Sequence, residues 1–227
     1  MPDPIFYTAE LDFAGEAIDN FIQWYAGRHA PDLFRAHFQS CACYRAIDGG
    51  PAILDAYQAQ SWDVFLSTGY GLRAKDPYAA KILAPRGPDY AATVYAYSPM
   101  PSTPGEPLAL IDADWASLVR FDLENAALDT AIKRFDAQAA VQWRQWGARN
   151  FRFIQRTKNH PTLAPSPRPS CALFVEWDQR PPALALQSES LRRAMEHAKA
   201  VSGFVGYRVY PWPDDVDLKN LSSAATT

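Results

Sequence analysis

Trp24, Tyr25, Arg28, His29 and Asp32 lie within nine positions of one another, inside the stretch FIQWYAGRHAPDLFRAHF from Phe21 to Phe38. His29 is the one histidine set among so many other polar functions. A neutral imidazole takes or gives a proton near neutral pH, which is what general acid–base catalysis needs. Asp32, three residues on, would orient that ring by accepting from one of its nitrogens. The competing reading is helix electrostatics, with His29 at one helix C-terminus and Asp32 in the first turn of the next. Asp55 and Tyr57 stand two apart in a strand-like run and so share a face. A carboxylate in an apolar strand either pairs with Arg45 across the neighbouring strand or faces a ligand cavity, where burial raises its pKa. Tyr25, Tyr44 and Tyr57 would hold a substrate oxygen, or pack in the core with satisfied hydroxyls. The candidate catalytic set is therefore His29, Asp32, Asp55 and Tyr57. Trp24, Tyr25, Arg28, Tyr44 and Arg45 form the candidate substrate-binding set.

What is missing narrows the chemistry. No HExxH-like spacing, glycine-rich phosphate loop, dinucleotide fingerprint or G-x-S-x-G elbow occurs, so no metal and no cofactor are expected. A haem with a single axial histidine leaves no spacing to read. His37, His160 and His197 stand in weaker settings. Cys41, Cys43 and Cys171 are odd in number and sit in apolar runs, where cysteine behaves as a small buried hydrophobe.

The elements that must position these residues follow from periodicity. Ile5–Leu11 reads as a strand. Ile18, Phe21, Ile22 and Tyr25 form a helical stripe. Gly27 then loosens that helix, and Pro31 suits the first turn of a second one. Strands follow at Ser40–Ile47 and Ala52–Ala59, parted by a Gly49-Gly50-Pro51 turn. Ser61 is a plausible N-cap for a helix from Trp62 to about Leu72, and Asp89–Tyr97 is a further strand. Ser98–Pro107 has linker composition. The order then recurs: strand Ala116–Leu123, a helix striped by Leu128, Ile132 and Phe135 towards Trp143, and strand Asn150–Arg156. A Pro-rich loop leads to strand Cys171–Trp177, a helix opening at Pro181 and Pro182, and strand Phe204–Tyr210. The boundaries that result are 1–100, 107–213 and a loose tail at 214–227.

Two successive β-α-β-β-α-β units give an α+β fold of ferredoxin-like halves. Their strands are apolar nearly throughout, so both faces of each sheet must be covered, and sheet against sheet is the economical solution. An offset of about 110 residues lays Tyr25 on Phe135, His29 on Ala139, Asp32 on Gln142 and Trp24 on Arg134, with Tyr57 on or near Val175. The second copy keeps packing residues and loses the ionisable ones. That one-sided loss assigns the site to the first half.

With 227 residues, 48% hydrophobic and 21% charged, the chain can bury a real core. A net charge of −3 gives no reason to expect nucleic acid or an anionic membrane as partner. No run reaches the ~20 apolar residues of a membrane helix, and no signal peptide is visible, so the cytoplasm is the expectation. An aromatic content of 13% suits an aromatic-lined cavity for a small apolar ligand and core packing equally well. A monomer and a homodimer are both compatible with two fused units.

The element order, the helix-end motif WYxxRHxPDL and the later AYQAQSWDVFLSTGY resemble the dimeric α+β barrel superfamily, nearest its EthD-like branch in a tandem fused form. The resemblance covers both halves to about Trp212, the second in element order only. It implies an intramolecular barrel and a wide range of reactions, from cofactor-free monooxygenases through cyclases, dehydratases and lyases to haem enzymes and stress proteins. Together with the residues above, the expectation is a cofactor-independent enzyme of lyase, dehydratase or cyclase type using His-centred acid–base chemistry on a small aromatic or polyketide-like substrate. The alternatives are a cofactor-free monooxygenase of aromatic compounds, or a non-catalytic small-molecule or haem-binding stress protein.

Overall fold

Alternation along β1 (Ile5–Leu11) sends Phe6, Thr8 and Glu10 to one side of the sheet and Ile5, Tyr7, Ala9 and Leu11 to the other, and every residue of the strand is buried. The same holds for β3 (Ile53–Ala59) and β7 (Cys171–Trp177). Strands buried on both faces demand two separate covers, and the computed structural model shows what they are. It describes residues 4–13, 15–73, 76–98, 100, 108–157, 165–183 and 185–211. The expected linker (apart from Ser98 and Met100), His160 and the 214–227 tail lie outside these.

Besides those three strands the chain forms β2 (Ser40–Gly49), β4 (Ala91–Ser98), β5 (Trp115–Asp122), β6 (Ala148–Arg156) and β8 (Lys199–Tyr210). They close into one barrel in the order β1-β3-β2-β8-β5-β7-β6-β4. All pairings are antiparallel. The two βαββαβ halves join edge to edge, β2 to β8 and β4 to β6, where face-to-face stacking was the expectation. Closure leaves no exposed sheet edge and gives each strand an interior and an exterior face.

The inward residues Phe6, Tyr44, Leu54, Tyr95, Leu118, Phe174 and Phe204 fill the barrel. The outward residues meet helices: Phe21, Trp24, Tyr25, Leu33 and Phe34 over the first half, and Leu128, Ile132, Phe135 and Trp143 over the second. The register equates the halves position by position. Tyr7 faces Tyr57 just as Ser117 faces Val175, and Cys43 faces Asp55 just as Phe153 faces Leu173.

The first helix is continuous where Gly27 and Pro31 predicted a break. α1 (Glu16–Trp24) passes through a π turn, Tyr25–His29, straight into α2 (Ala30–Arg35). The second half repeats the device, with α5 (Asn125–Arg134), a π turn at Phe135–Ala140 and α6 (Val141–Gln145). Between β3 and β4, Ser61 does cap, but a 3₁₀ turn (Trp62–Leu66), α3 (Thr68–Arg73) and α4 (Pro77–Leu83) replace the single expected helix. Before β8, helix α7 is confined to Glu189–Ala194 under a Ser188 cap, later than the Pro181–Pro182 start predicted.

The barrel ends are closed by polar networks. At one, Glu10 meets Arg120 at 2.8 Å and Arg168 at 2.9 Å. At the other, Gln58, Arg152, Glu176 and Tyr44 bind the backbone of residues 109–113. The second half is therefore not purely apolar, since Arg120, Arg152 and Glu176 are buried in its share of the barrel.

The seam between β2 and β8 depends on Gly49, whose φ is +73° and whose added Cβ would stand 2.1 Å from the Gly203 carbonyl oxygen. Gly49→Ala must strain the backbone and displace β8, at a cost of about 2 kcal/mol or more. A clearly lowered thermal midpoint is the expected result, and an unchanged one would show that the seam yields there.

Candidate active site

Between the first helix and the outer face of the first-half sheet lies a layer that combines rings with ionisable groups. The sheet contributes Tyr7 from β1, Cys41 and Cys43 from β2, and Asp55 and Tyr57 from β3. The helix contributes Trp24, Tyr25 and His29, and the end of β8 adds Tyr210. Tyr7 stacks on Tyr57 with ring centroids 5.1 Å apart, Tyr25 lies 6.3 Å from Tyr57, and Tyr210 stands edge-on to Tyr25 at 5.3 Å. Phe38 and Phe65 complete the wall.

Asp55 lies in the middle of this layer, 1% exposed. Burial pushes its carboxyl from the ordinary 3.8 up to about 8, with the Cys43 thiol and Tyr57 hydroxyl partly offsetting the rise. Asp55 Oδ1 and the hydroxyls of Tyr25 and Tyr57 face one another and the Cys43 thiol, in contacts that fall short of ideal hydrogen-bond geometry. Burial likewise lifts Tyr25 and Tyr57, next to one another and to Asp55, and both thiols, Cys41 and Cys43. The thiols are thus held protonated, which suits small packing groups and not nucleophiles.

His29 sits on the π turn, 8% exposed, with its ring stacked on Trp24 at 4.7 Å and 5.4 Å from Tyr25. π turns recur at functional sites. Here, though, both halves have one, so the turn belongs first to the fold. It directs Tyr25 and His29 inward in one half and Phe135 and Ala139 inward in the other.

Several expected members lie elsewhere. Asp32 does not orient His29: on the outer face of the helix it accepts from Arg35 at 2.6 Å, three residues along. Arg45 does not pair with Asp55 but reaches Asp19 on α1, at 3.2 Å. Tyr44 points into the barrel and donates to the Ala113 carbonyl at 3.0 Å, on the far side of the sheet from His29. Arg28 remains at the rim, over the Tyr78 ring at 4.4 Å. His37 is an exposed, left-handed residue ending α2, with φ +69°.

Sequence reasoning missed Tyr7, Tyr210 and Asp76. The alternation of β1 could have given Tyr7. Tyr210 joins only through barrel closure. Asp76-Pro77 is a helix-start signature, and Asp76 does cap α4, accepting from the Tyr78 N–H at 2.9 Å.

The second half shows the same layer without chemistry. Ser117, Leu173, Val175, Phe151, Phe153, Phe135 and Ala139 replace Tyr7, Asp55, Tyr57, Cys41, Cys43, Tyr25 and His29. Phe135, Trp143, Phe151, Phe153 and Trp177 close it ring to ring at 5.2–6.4 Å. Two open clefts lie on that half, one of about 990 Å³ along α7 and one of about 750 Å³ between Asp122 at the end of β5 and Lys199 at the start of β8. The charged rim of the larger is ion-paired within itself, Arg134 to Glu196 and Arg193 to Glu189. The one acid there with a shifted pKa, Glu189, is held below the usual carboxylate range by Arg193 and Arg192 and so keeps no proton to give, and the first-half layer is the candidate site.

Haem is among the groups that the resemblance to the superfamily implies. A porphyrin needs a flat slot beside an imidazole nitrogen. The ring of His29 lies instead against Trp24 and Tyr25, and the tyrosines beneath it fill the layer. His37 and His197 are exposed. The first-half layer does not fit the group.

No family model and no curated protein matches the chain. Solved structures do. An anthrone oxidase-like protein superposes with a TM-score of 0.61 at 11% identity, over 92% of each chain. A mutant chlorite dismutase from Candidatus Nitrospira defluvii gives 0.54 at 9% identity over 100% of this chain and 98% of that one. A haem-binding protein from Thermus thermophilus gives 0.53 at 9% identity, over 100% and 96%. At such identities the likeness establishes architecture alone: a dimeric α+β barrel fold, here closed within one chain.

Proposed function

We propose that the chain is an enzyme that moves protons on a small aromatic or polyketide-like molecule, in a reaction of lyase, dehydratase or cyclase type, within the layer under its first helix. The observation that carries this reading is Asp55, a carboxyl buried among tyrosines with its pKa pushed up to about 8. A group in that range gives a proton to a substrate oxygen or takes one from an activated carbon at working pH. Tyr57 holds the oxygen on which charge develops. Tyr25 leads from Tyr57 towards His29, which exchanges protons near the rim, and Trp24 and Arg28 flank that route. These steps use only the chain's own groups. Because the rings are now in contact, substrate binding displaces the cover formed by the 3₁₀ turn Trp62–Leu66, α3 and α4.

The likeness to the anthrone oxidase-like protein favours a second reading at the same site. Asp55 would deprotonate a phenol, and the electron-rich anion would itself reduce O₂.

One experiment separates the readings: a panel of hydroxylated anthrones, naphthols and linear polyketide mimics, followed by absorbance in air and under argon. Turnover unaffected by argon fits lyase or cyclase chemistry; turnover lost under argon fits oxygenation. In either case Tyr57→Phe should lower kcat about 10²-fold, the cost of one donor to a developing oxyanion. Its thermal midpoint should change little, since the contacts of the Tyr57 hydroxyl with Asp55 and Tyr25 fall short of ideal geometry. Normal turnover in that variant would remove the site from this layer.

A further inference from the structure

The carboxylate that faces the Trp24–His29 pair is Asp76, at the start of α4. Its Oδ2 accepts from the Trp24 indole N–H at 2.9 Å, and its Oδ1 accepts from the Tyr78 N–H at 2.9 Å and lies 3.5 Å from Arg28. The side chain is only 11% exposed. Capping α4 needs just one of those oxygens; the other is committed to the helix across the layer. Facing the carboxylate are Arg28 and His29 from the π turn and the N–H groups of Trp24 and Tyr78. The Trp24 donation leads in holding the Asp76 carboxyl below the usual range, and the Arg28 and His29 charges add to it.

The second half lacks this arrangement. The position equivalent to Trp24 is Arg134, and the Trp143 indole that donates at 3.4 Å to Ser188, the N-cap of α7, comes after its π turn and not before it. The tie between an indole and a charged cap thus occurs in the half that has the imidazole.

We propose that Asp76 is a positioning residue of the site, clamping Trp24 against the His29 ring and stabilising the imidazolium form of His29 by its charge. The assignment rests on the reading that this layer is the active site. It replaces Asp32 as the acidic partner of His29.

The test is a proton NMR titration of the His29 ring in the full chain, its resonance identified by loss in His29→Asn. Wild type is compared with Asp76→Asn, Asp76→Ser and Asp76→Glu, each with a thermal melt. The serine variant keeps a good N-cap residue at the start of α4. Expected is a fall in the His29 titration midpoint of about 0.5–1 pH unit in the asparagine and serine variants, the effect of removing one nearby charge. The glutamate variant should retain the wild-type midpoint. An unchanged midpoint in the first two, or an equal fall in the third, overturns the proposal and leaves Asp76 as a helix cap. Because no turnover is measured, this outcome is independent of whether Asp55 and Tyr57 act on a substrate.

Discussion

Asp55→Leu is expected to give a more stable and inactive protein. In the folded chain the Asp55 carboxyl is raised from 3.8 to about 8, whereas in the unfolded chain it titrates near its ordinary value. A raised folded pKa means that the folded state holds the proton more tightly. The stability associated with the group is therefore complete below about pH 4 and is lost as pH rises towards 8. At about 1.4 kcal/mol per pH unit, keeping this carboxyl buried at neutral pH costs on the order of 4 kcal/mol. The equivalent position in the second half is Leu173, also fully buried, so the fold accommodates leucine there. Denaturant unfolding between pH 5.5 and 8 is the measurement. Wild-type stability should fall with a slope approaching 1.4 kcal/mol per pH unit relative to the variant, the signature of one extra proton held by the folded chain. Parallel pH curves would show that Asp55 is not the titrating group. Turnover should fall about 10²–10⁴-fold, the range for a lost general acid or base. A carboxyl retained at such cost against stability is intelligible where it acts.

Much of this was legible in the sequence, and the failures have definable causes. Strand and helix order followed from periodicity, and the contrast between the halves followed from aligning them. Register confirms that contrast: Tyr57 does meet Val175 and Tyr25 does meet Phe135 under the equivalence. The break predicted at Pro31 failed because a π turn widens the helix just before it, with the Ala30 N–H reaching back to the Tyr25 carbonyl. A wider turn relieves the clash between a proline ring and the preceding carbonyls. The second half has Val141 at that position and the same turn, so the proline is accommodated and is not the cause. Asp32 misled because three residues along a helix is close in sequence and also close to Arg35, which was the better partner in water. Arg45 and Asp55 do share a face of the sheet. A guanidinium on a long stem can nonetheless reach solvent and Asp19, leaving the carboxyl to be neutralised by a proton. Tyr44 and Tyr57 looked alike as tyrosines in apolar strands; only the register shows that one faces the barrel and the other the helix.

The largest loss of stability should come from the opposite face of β1. Glu10 is buried and meets two guanidinium groups, Arg120 and Arg168. Glu10 and Arg120 occupy equivalent positions in the two halves, so they face each other near the axis that relates the halves. Equal residues there would bring two like charges together; unlike ones attract, and so favour pairing of one half with the other over pairing with a copy of itself. Removing one partner leaves a buried charge uncompensated, which costs about 3–5 kcal/mol. Glu10→Ala and Arg120→Ala should each lower stability by roughly that amount, whereas Arg35→Ala, at an exposed pair, should cost under about 1 kcal/mol. The double variant Glu10→Leu with Arg120→Met should recover much of the loss, since apolar replacement of a buried pair is often neutral. Denaturant titration of Glu10→Leu, Arg120→Met and the double variant closes the cycle. If the two losses simply add, the pair is not coupled, and closure of the barrel at this end rests on packing alone. Tyr7 lies on the same strand, facing outward, and Ala9 beside it pairs with Asp55. Loosening Glu10 should therefore also disorder the layer under the first helix, seen as faster amide exchange at Tyr7 and Asp55 before global unfolding.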